Sequence, residues 1–285
     1  MTATRPSIDD KRRSFRQLHE AGCFVIPNPW DVGSALYLQS LGFKALATTS
    51  SGFAWSKGCP DNGITRDMAL AHLRDMVAAT DLPVNADFEG GFAKDPSGVE
   101  ESVRLAVETG VAGLSIEDST GDTAAPLHEL DAAVARIRAA RRAIDKAGGD
   151  TLLVGRAECF LVGRPNLEET IERLKAYANA GADCLYAPGI ATRDQISALV
   201  DAVAPKPFNL LVGSASELTL DDISALGVRR ISVGGALARS AWGGFMRAAR
   251  SIAEHGKFGE FASAASGREL NELFRAGQKT RTSQR

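Results

Sequence analysis

Cysteine and histidine are scarce in this chain, and their scarcity excludes several chemistries. The four cysteines, Cys23, Cys59, Cys159 and Cys184, stand far apart without a CxxC pair, which argues against a zinc cage and against a dithiol redox motif. Reduced thiols in a cytoplasmic protein are the expectation. Of the four histidines, His72 and His128 fall in helical patterns and His19 and His255 toward the two ends, so a histidine-based triad or zinc site is not expected. Net charge is also missing: 33 basic against 35 acidic residues leave −2, no field with which to hold nucleic acid. No apolar run approaches the length of a membrane span, and the opening MTATRPSIDDKRRSFRQL lacks the apolar core of a secretory signal. Neither nucleic acid nor membrane is an expected partner.

A low-complexity stretch is lacking too, as is any linker rich in proline, serine or charge, so nothing divides the chain. Residues 1–285 are expected to form one domain, a barrel over about 20–255 with a helical extension over 256–285 that ends in the polar, basic GQKTRTSQR. A hydrophobic content of 44% is sufficient for one large core.

What the chain does have is rhythm. Short runs rich in valine, isoleucine and leucine at 23–27, 45–49, 83–87, 113–117, 151–156, 183–187, 207–211 and 230–233 alternate with amphipathic segments such as 66–80, 97–109, 129–147 and 167–180. Each helix returns the chain for another parallel strand. The joints SLGFKAL, ETGVAGL, NAGADCL and ALGVRRI each place a glycine where a helix needs a left-handed cap. Eight βα units without a GxGxxG after the first strand predict an α/β fold of the closed (β/α)8 TIM type rather than an open doubly wound sheet.

In such a barrel the reactive groups gather at the C-terminal ends of the strands. The candidates there are Asn28 and Asp31, then Ser50, Ser51 and Gly52, then Asn85, Asp87 and Glu89, then Glu117 and Asp118, then Arg156 and Glu158, and finally Asn209. Asp87 and Glu117 end adjacent strands, so their carboxylates can offer the oxygen ligands that magnesium prefers, with Asn85 lending an amide oxygen. They can equally cap the following helices or pair with Arg156. Glu89 is expected to reach outward and Asp118 to brace the neighbouring strand. Arg156, inside the predicted barrel, needs an anionic partner: a substrate carboxylate held bidentately, or Glu158 or Glu117 in a structural ion pair. The TTSSG turn can bring backbone N–H groups to a carboxylate or enolate oxygen.

The order of these segments resembles the isocitrate lyase and phosphoenolpyruvate mutase superfamily, especially its shorter members, over roughly residues 20–255. NPWDVGSALYLQSLGFKAL is similar to its opening strand and helix, and TTSSG with CPDNGITRD to its substrate-binding turn and the aspartate that follows. VNADFEGGF is similar to its metal-binding segment, GLSIED to the next acidic strand end, and GRAECFLVG to its arginine-bearing strand. The resemblance implies dimers or tetramers with the last helix swapped between subunits, and a magnesium ion, or manganese in its place, bound largely through water. It further implies Asp87 and Glu117 at the metal, Asp61 near the substrate, Ser50 and Ser51 presenting N–H groups, Arg156 gripping a carboxylate and Asn209 orienting it. Two departures stand out: Asn85 occupies the place where many members have an aspartate, and DSTGDTAAPLHEL after Glu117 lacks the KxCGH-type loop of the isocitrate and methylisocitrate lyases.

The expected activity is therefore cleavage or decarboxylation of a small 2-keto or 2-hydroxy dicarboxylate, oxaloacetate-like or 2-methylisocitrate-like, through an enolate. Asp61 or water would move the proton, with Asp122 of the loop after Glu117 as a second donor. The alternatives are P–C bond chemistry on a phosphonopyruvate-type substrate, or binding of a keto acid without turnover.

Overall fold

A computed structural model describes residues 5–282, with side chains as far as residue 275. Eight parallel strands form its centre: β1 Phe24–Ile26, β2 Leu46–Ala47, β3 Val84–Asp87, β4 Gly113–Glu117, β5 Leu152–Arg156, β6 Cys184–Tyr186, β7 Phe208–Leu211 and β8 Arg230–Ser232. Neighbours along the sheet run β1-β8-β7-β6-β5-β4-β3-β2. The Ala47 N–H donates to the Pro27 carbonyl at 3.1 Å, joining the two ends of that order into a (β/α)8 barrel.

The strands are short, and most residues in them are buried, as expected where helices cover one face and the barrel interior the other. The intervening helices begin where a side chain can accept a free N–H: Asp31 from Ser34, Thr65 from Met68, Asp95 from Gly98 and Asn166 from Glu169. Glycines close them as the joints predict, with Gly110 at φ +88° and Gly181 at φ +106°.

Helix Ile8–Leu18 plugs the N-terminal end of the barrel. Its Phe15 is fully buried among Ile26, Ala45, Ala47, Ala112 and Leu152, a burial worth about 1.5–3 kcal/mol. His19, just beyond that helix, packs edge-on to Phe15 and Phe24 with ring centroids 4.7 and 5.2 Å away. With this end stoppered, the interior opens only toward the strand C-termini.

Helix Ala236–His255 follows β8, and helix Gly267–Thr282 lies against helix Val32–Ser40 of the same chain, with Phe274 beside Gly33. Between helices Ala236–His255 and Gly267–Thr282 the chain makes a short 3-10 turn, Gly259–Ser263. The last three residues of the tail, 283–285, lie outside the described residues. No helix among the described residues is long and apolar enough to cross a membrane.

Candidate active site

A cavity of about 160 Å³ opens at the C-terminal mouth of the barrel, lined among others by Ser50, Ser51, Asp61, Asp87, Arg156 and Tyr186. It continues into an outer vestibule of about 560 Å³ through the shared walls of Ser51, Asp61, Leu161 and Leu211. An inner space this small, below the volume of sites for drug-sized molecules, fits a compact substrate.

Strand register explains the cluster. Asp87 ends β3, and Glu117 and Arg156 sit directly opposite each other on β4 and β5. Arg156 is consequently ringed by acids: its Nη1 lies 3.2 Å from Asp87 Oδ1 and 3.1 Å from Glu117 Oε2, while its Nε donates to Glu158. The guanidinium also lies over the Tyr186 ring, 5.1 Å from its centroid. Arg156 is thus ion-paired within the fold and at the same time part of the cavity wall.

The turn read as TTSSG is the start of a short helix, Ser50–Ser56, capped by Thr49. Ser50 donates its backbone N–H and its hydroxyl to Asp87 Oδ2, each at 2.9 Å, and the Asp87 N–H donates to Thr48 Oγ1 at 2.9 Å. Asp87 is therefore oriented from two sides, and the Ser50 N–H is committed to it. Ser51 faces the cavity, its hydroxyl 3.0 Å from that of Thr49. Gly52 contributes by its size: a Cβ there would meet Thr49 Cγ2 at 2.7 Å and Trp30 Cβ at 3.0 Å.

Asp61 lies at the rim, lining both spaces. Its surroundings and the charge of Asp87 raise its carboxyl above the usual value, against the pull of the Asn62 N–H and of Arg156. Burial pushes Glu117 well up too, reinforced by Glu158, Asp87 and Glu89 and opposed by Arg156. Asp118 braces the structure, as expected: it accepts from the Glu158 N–H at 2.8 Å, from the Tyr177 hydroxyl at 2.6 Å and from Arg173 Nη1 at 3.2 Å.

Glu89 departs from expectation. Rather than reaching outward it turns in, and burial with the charges of Asp87 and Asp61 pushes its carboxyl up to about 8. Its Oε1 is buried without a hydrogen-bond partner. The backbone there is left-handed, with φ +47° at Glu89 and +53° at Phe92, strain of the kind found near functional sites. The spacing by two of Asn85 and Asp87 sends both to one face of β3, but it does not extend to Glu89, which the left-handed turn after the strand brings in.

Two expected residues lie deeper and one lies outside. Asn85 directs its amide oxygen to Arg230 Nη1 at 3.4 Å and its Nδ2 to the Ala86 carbonyl. Asn209 is fully buried, holding Arg230 Nε at 2.7 Å and Ser232 Oγ at 2.9 Å, so it orients that arginine. Asp122 occupies an exposed turn, accepting from the Ala124 N–H at 2.9 Å, and does not line the cavity.

The carboxylates of Asp61, Asp87, Glu89, Glu117 and Glu158 gather around Arg156 and outnumber the two arginines of the cavity, Arg156 and Arg230, and Glu89 carries an unpartnered oxygen. That excess suits a hard divalent cation. Among the described residues no three metal-binding side chains converge enough to hold an ion directly. Asp87, Glu89 and Glu117 could therefore hold one only with water completing its shell, the way magnesium is usually bound.

The sequence model of phosphoenolpyruvate phosphomutase matches residues 15–253. The chain belongs to that family. Among solved structures, one from Burkholderia cenocepacia J2315, provisionally described as a lyase/mutase, superposes with a TM-score of 0.91 at 48% identity, covering 94% of this chain and 98% of that one. Oxaloacetate decarboxylase of Paraburkholderia xenovorans (strain LB400) is 30% identical over 78% of this chain and 74% of its own length. For 2-methylisocitrate lyase of Escherichia coli (strain K12) the identity is 31%, over 69% of this chain and 68% of that one. Family membership makes the chain one of a group of lyases and mutases built on this barrel.

Proposed function

We propose that the protein is a magnesium-dependent carbon–carbon lyase or decarboxylase acting on a small 2-keto or 2-hydroxy dicarboxylate, oxaloacetate-like or 2-methylisocitrate-like. The observation that carries this reading is the cavity at the barrel mouth, lined by Asp61 and Asp87 beside Arg156, with the unpartnered carboxyl oxygen of Glu89 buried close to those acids. Relatives named for oxaloacetate and 2-methylisocitrate chemistry support it.

A divalent ion bound by Asp87, Glu89 and Glu117 would supply Lewis-acid polarisation of the substrate's keto or hydroxy oxygen. The chain's own residues do the rest. Ser50 locks Asp87 in place, Ser51 borders the reacting end of the substrate, and Arg156 holds its carboxylate and offsets charge as the enolate forms. When the C–C bond breaks, its electron pair moves into the enolate; a carboxylate leaves as carbon dioxide, whereas a carbon bearing a hydroxyl leaves as an aldehyde or keto acid as its hydroxyl proton passes to water. Asp61, with a raised carboxyl at the rim, returns a proton to the enolate carbon. Leu161, Leu211 and Tyr186 limit water around that carbon.

The same reading places the enzyme in the cytoplasm, consistent with four free thiols. It also makes the enzyme a homo-oligomer, because Trp242, Phe245, Met246, Phe258 and Phe261 are exposed along its C-terminal part. Exchange of the last helix between subunits would cover them.

The test is incubation with magnesium and a panel of oxaloacetate, 2-methylisocitrate, dimethylmalate and phosphonopyruvate, following keto-acid products with and without a chelator. Chelator-sensitive pyruvate release from a C–C substrate is expected. Saturable binding without turnover would instead make the protein a keto-acid binder.

A further inference from the structure

Arg230 presents a different electrostatic problem from Arg156. It is 3% exposed, opens β8 inside the barrel and lines the same cavity. Its hydrogen-bond partners are all neutral: Asn209 Oδ1 at 2.7 Å, Asn85 Oδ1 at 3.4 Å and His19 Nε2 at 3.4 Å. The histidine is an acceptor here, because its Nδ1 pairs with the Phe15 carbonyl at 2.8 Å and its pKa is pushed down to about 3 by burial and by Arg230. Among the described residues no carboxylate forms an ion pair with Arg230, and its Nη2 makes no hydrogen bond.

A buried cation without an anion is costly, so its surroundings need explaining. Other buried cations of the chain are answered by the fold. Arg173 meets Asp118 and Glu169, Lys11 closes the carbonyls of Val77 and Thr80, and Arg136 those of Gly90, Ala93 and Lys94. None of these three lines the cavity. Lys11 and Arg136 also meet only neutral groups, but Arg230 alone among the four faces the cavity, held by side-chain amides and an imidazole that fix its plane without neutralising it. The cradle is built: Asn209 faces Arg230 in register, and Gly113 leaves the space that Asn85 fills, since a Cβ there would lie 2.7 Å from Asn85 Oδ1.

We propose that Arg230 is the specificity-determining anchor for the second carboxylate of the substrate. It enters the cavity below the acidic rim and leaves Arg156 and the acids to the keto- or hydroxy-acid end. This inference rests on the reading of the site as one for small dicarboxylates. It makes the cavity bipolar, acidic at its mouth and cationic at its floor, and selects diacids over monoacids sharing the same head group.

Malate and lactate separate the two ends, because they share a 2-hydroxy acid head and differ by one carboxylate. Calorimetric titration of the full chain in magnesium should find malate bound about ten- to a hundredfold more tightly than lactate. Arg230→Met should abolish that preference and leave lactate affinity within about twofold. Should that variant fold poorly, Asn209→Asp carries the test: it supplies the missing anion from within, so malate preference should vanish while the melting temperature holds or rises. Equal affinities in the wild type, or a preference that survives in Arg230→Met or in a folded Asn209→Asp, would overturn the assignment and leave the hydroxy-acid reading intact. Failure to bind either acid would overturn that reading and this inference together.

Discussion

Replacing Asp87 by asparagine should separate the chemical role of the acidic cluster from its structural one. Asparagine preserves the shape, and its carbonyl oxygen can still accept from the Ser50 N–H and hydroxyl, now at 2.9 Å. Its amide then meets Arg156 Nη1, donor against donor, where a 3.2 Å ion pair stood. Removing the sole partner of a buried charge typically costs about 3–5 kcal/mol. Arg156 keeps Glu117 at 3.1 Å and Glu158, so the expected cost is about 1 kcal/mol, or roughly 2–3 °C in Tm. Activity should respond far more strongly. The variant loses a cation-holding carboxylate, and Asp61, whose carboxyl Asp87 helps to raise, becomes a poorer proton donor. A preorganised electrostatic group is worth about 10²–10³ in rate, so kcat should fall at least about a hundredfold. The measurements are chelator-sensitive pyruvate release from oxaloacetate and thermal unfolding of the same preparation. A rate within about threefold of wild type would remove Asp87 from the chemistry. A Tm collapse beyond about 10 °C would refute the argument that Glu117 and Glu158 suffice to hold Arg156.

Three other outcomes are expected. Glu89 has a carboxyl raised to about 8 in the folded chain, so its contribution to stability is present below the ordinary carboxylate range and is lost as pH climbs through 8. Metal-free protein should therefore melt lower at about pH 8.5 than at about pH 5.5, and magnesium should raise Tm more at the higher pH; an equal magnesium effect at both would detach Glu89 from the cation. Asp61→Asn should lower kcat about a hundredfold while oxalate still binds, whereas Asp122→Ala should leave the rate unchanged; steady-state kinetics on both variants would expose a reversed pattern, which would make the exposed turn the proton donor. Gly113→Ala places a Cβ 2.7 Å from both Asn85 Oδ1 and Phe15 Cε1, an overpacking expected to cost about 1–3 kcal/mol and visible in denaturant unfolding.

Most of the barrel was legible because burial on both faces of a strand writes itself into continuous apolar runs, and capping residues mark where helices begin. The expected helix over 66–80 is found as Arg66–Ala79, and that over 129–147 as Leu130–Lys146. Strand ends were less legible. The run 45–49 shrinks to Leu46–Ala47 because Thr48, whose N–H still reaches the Asn85 carbonyl at 2.9 Å, gives its carbonyl to the Asn28 side chain and its hydroxyl to the Asp87 N–H. Local spacing cannot reveal such long-range exchanges of hydrogen bonds. The same holds for the second strand's turn, where small residues read as a loop become a helix because Thr49 caps it and Asp87 accepts its first N–H.

Arg230 lay furthest from view. In ALGVRRISV either arginine could face the interior, and only the register of β8 against β7 decides: Arg230 pairs with Asn209 inside, while Arg229 donates to the Gly22 carbonyl at the surface. A polar barrel interior of this kind contributes little to stability, and the fold compensates elsewhere through the Phe15 plug and the shell of helices packed on the strands. The division follows from the site's task. A cavity that must accept a small, doubly charged molecule has to offer charge before that molecule arrives, so each end is held unsatisfied by rigid neighbours: Glu89 by the strained turn after β3, Arg230 by amides that cannot neutralise it.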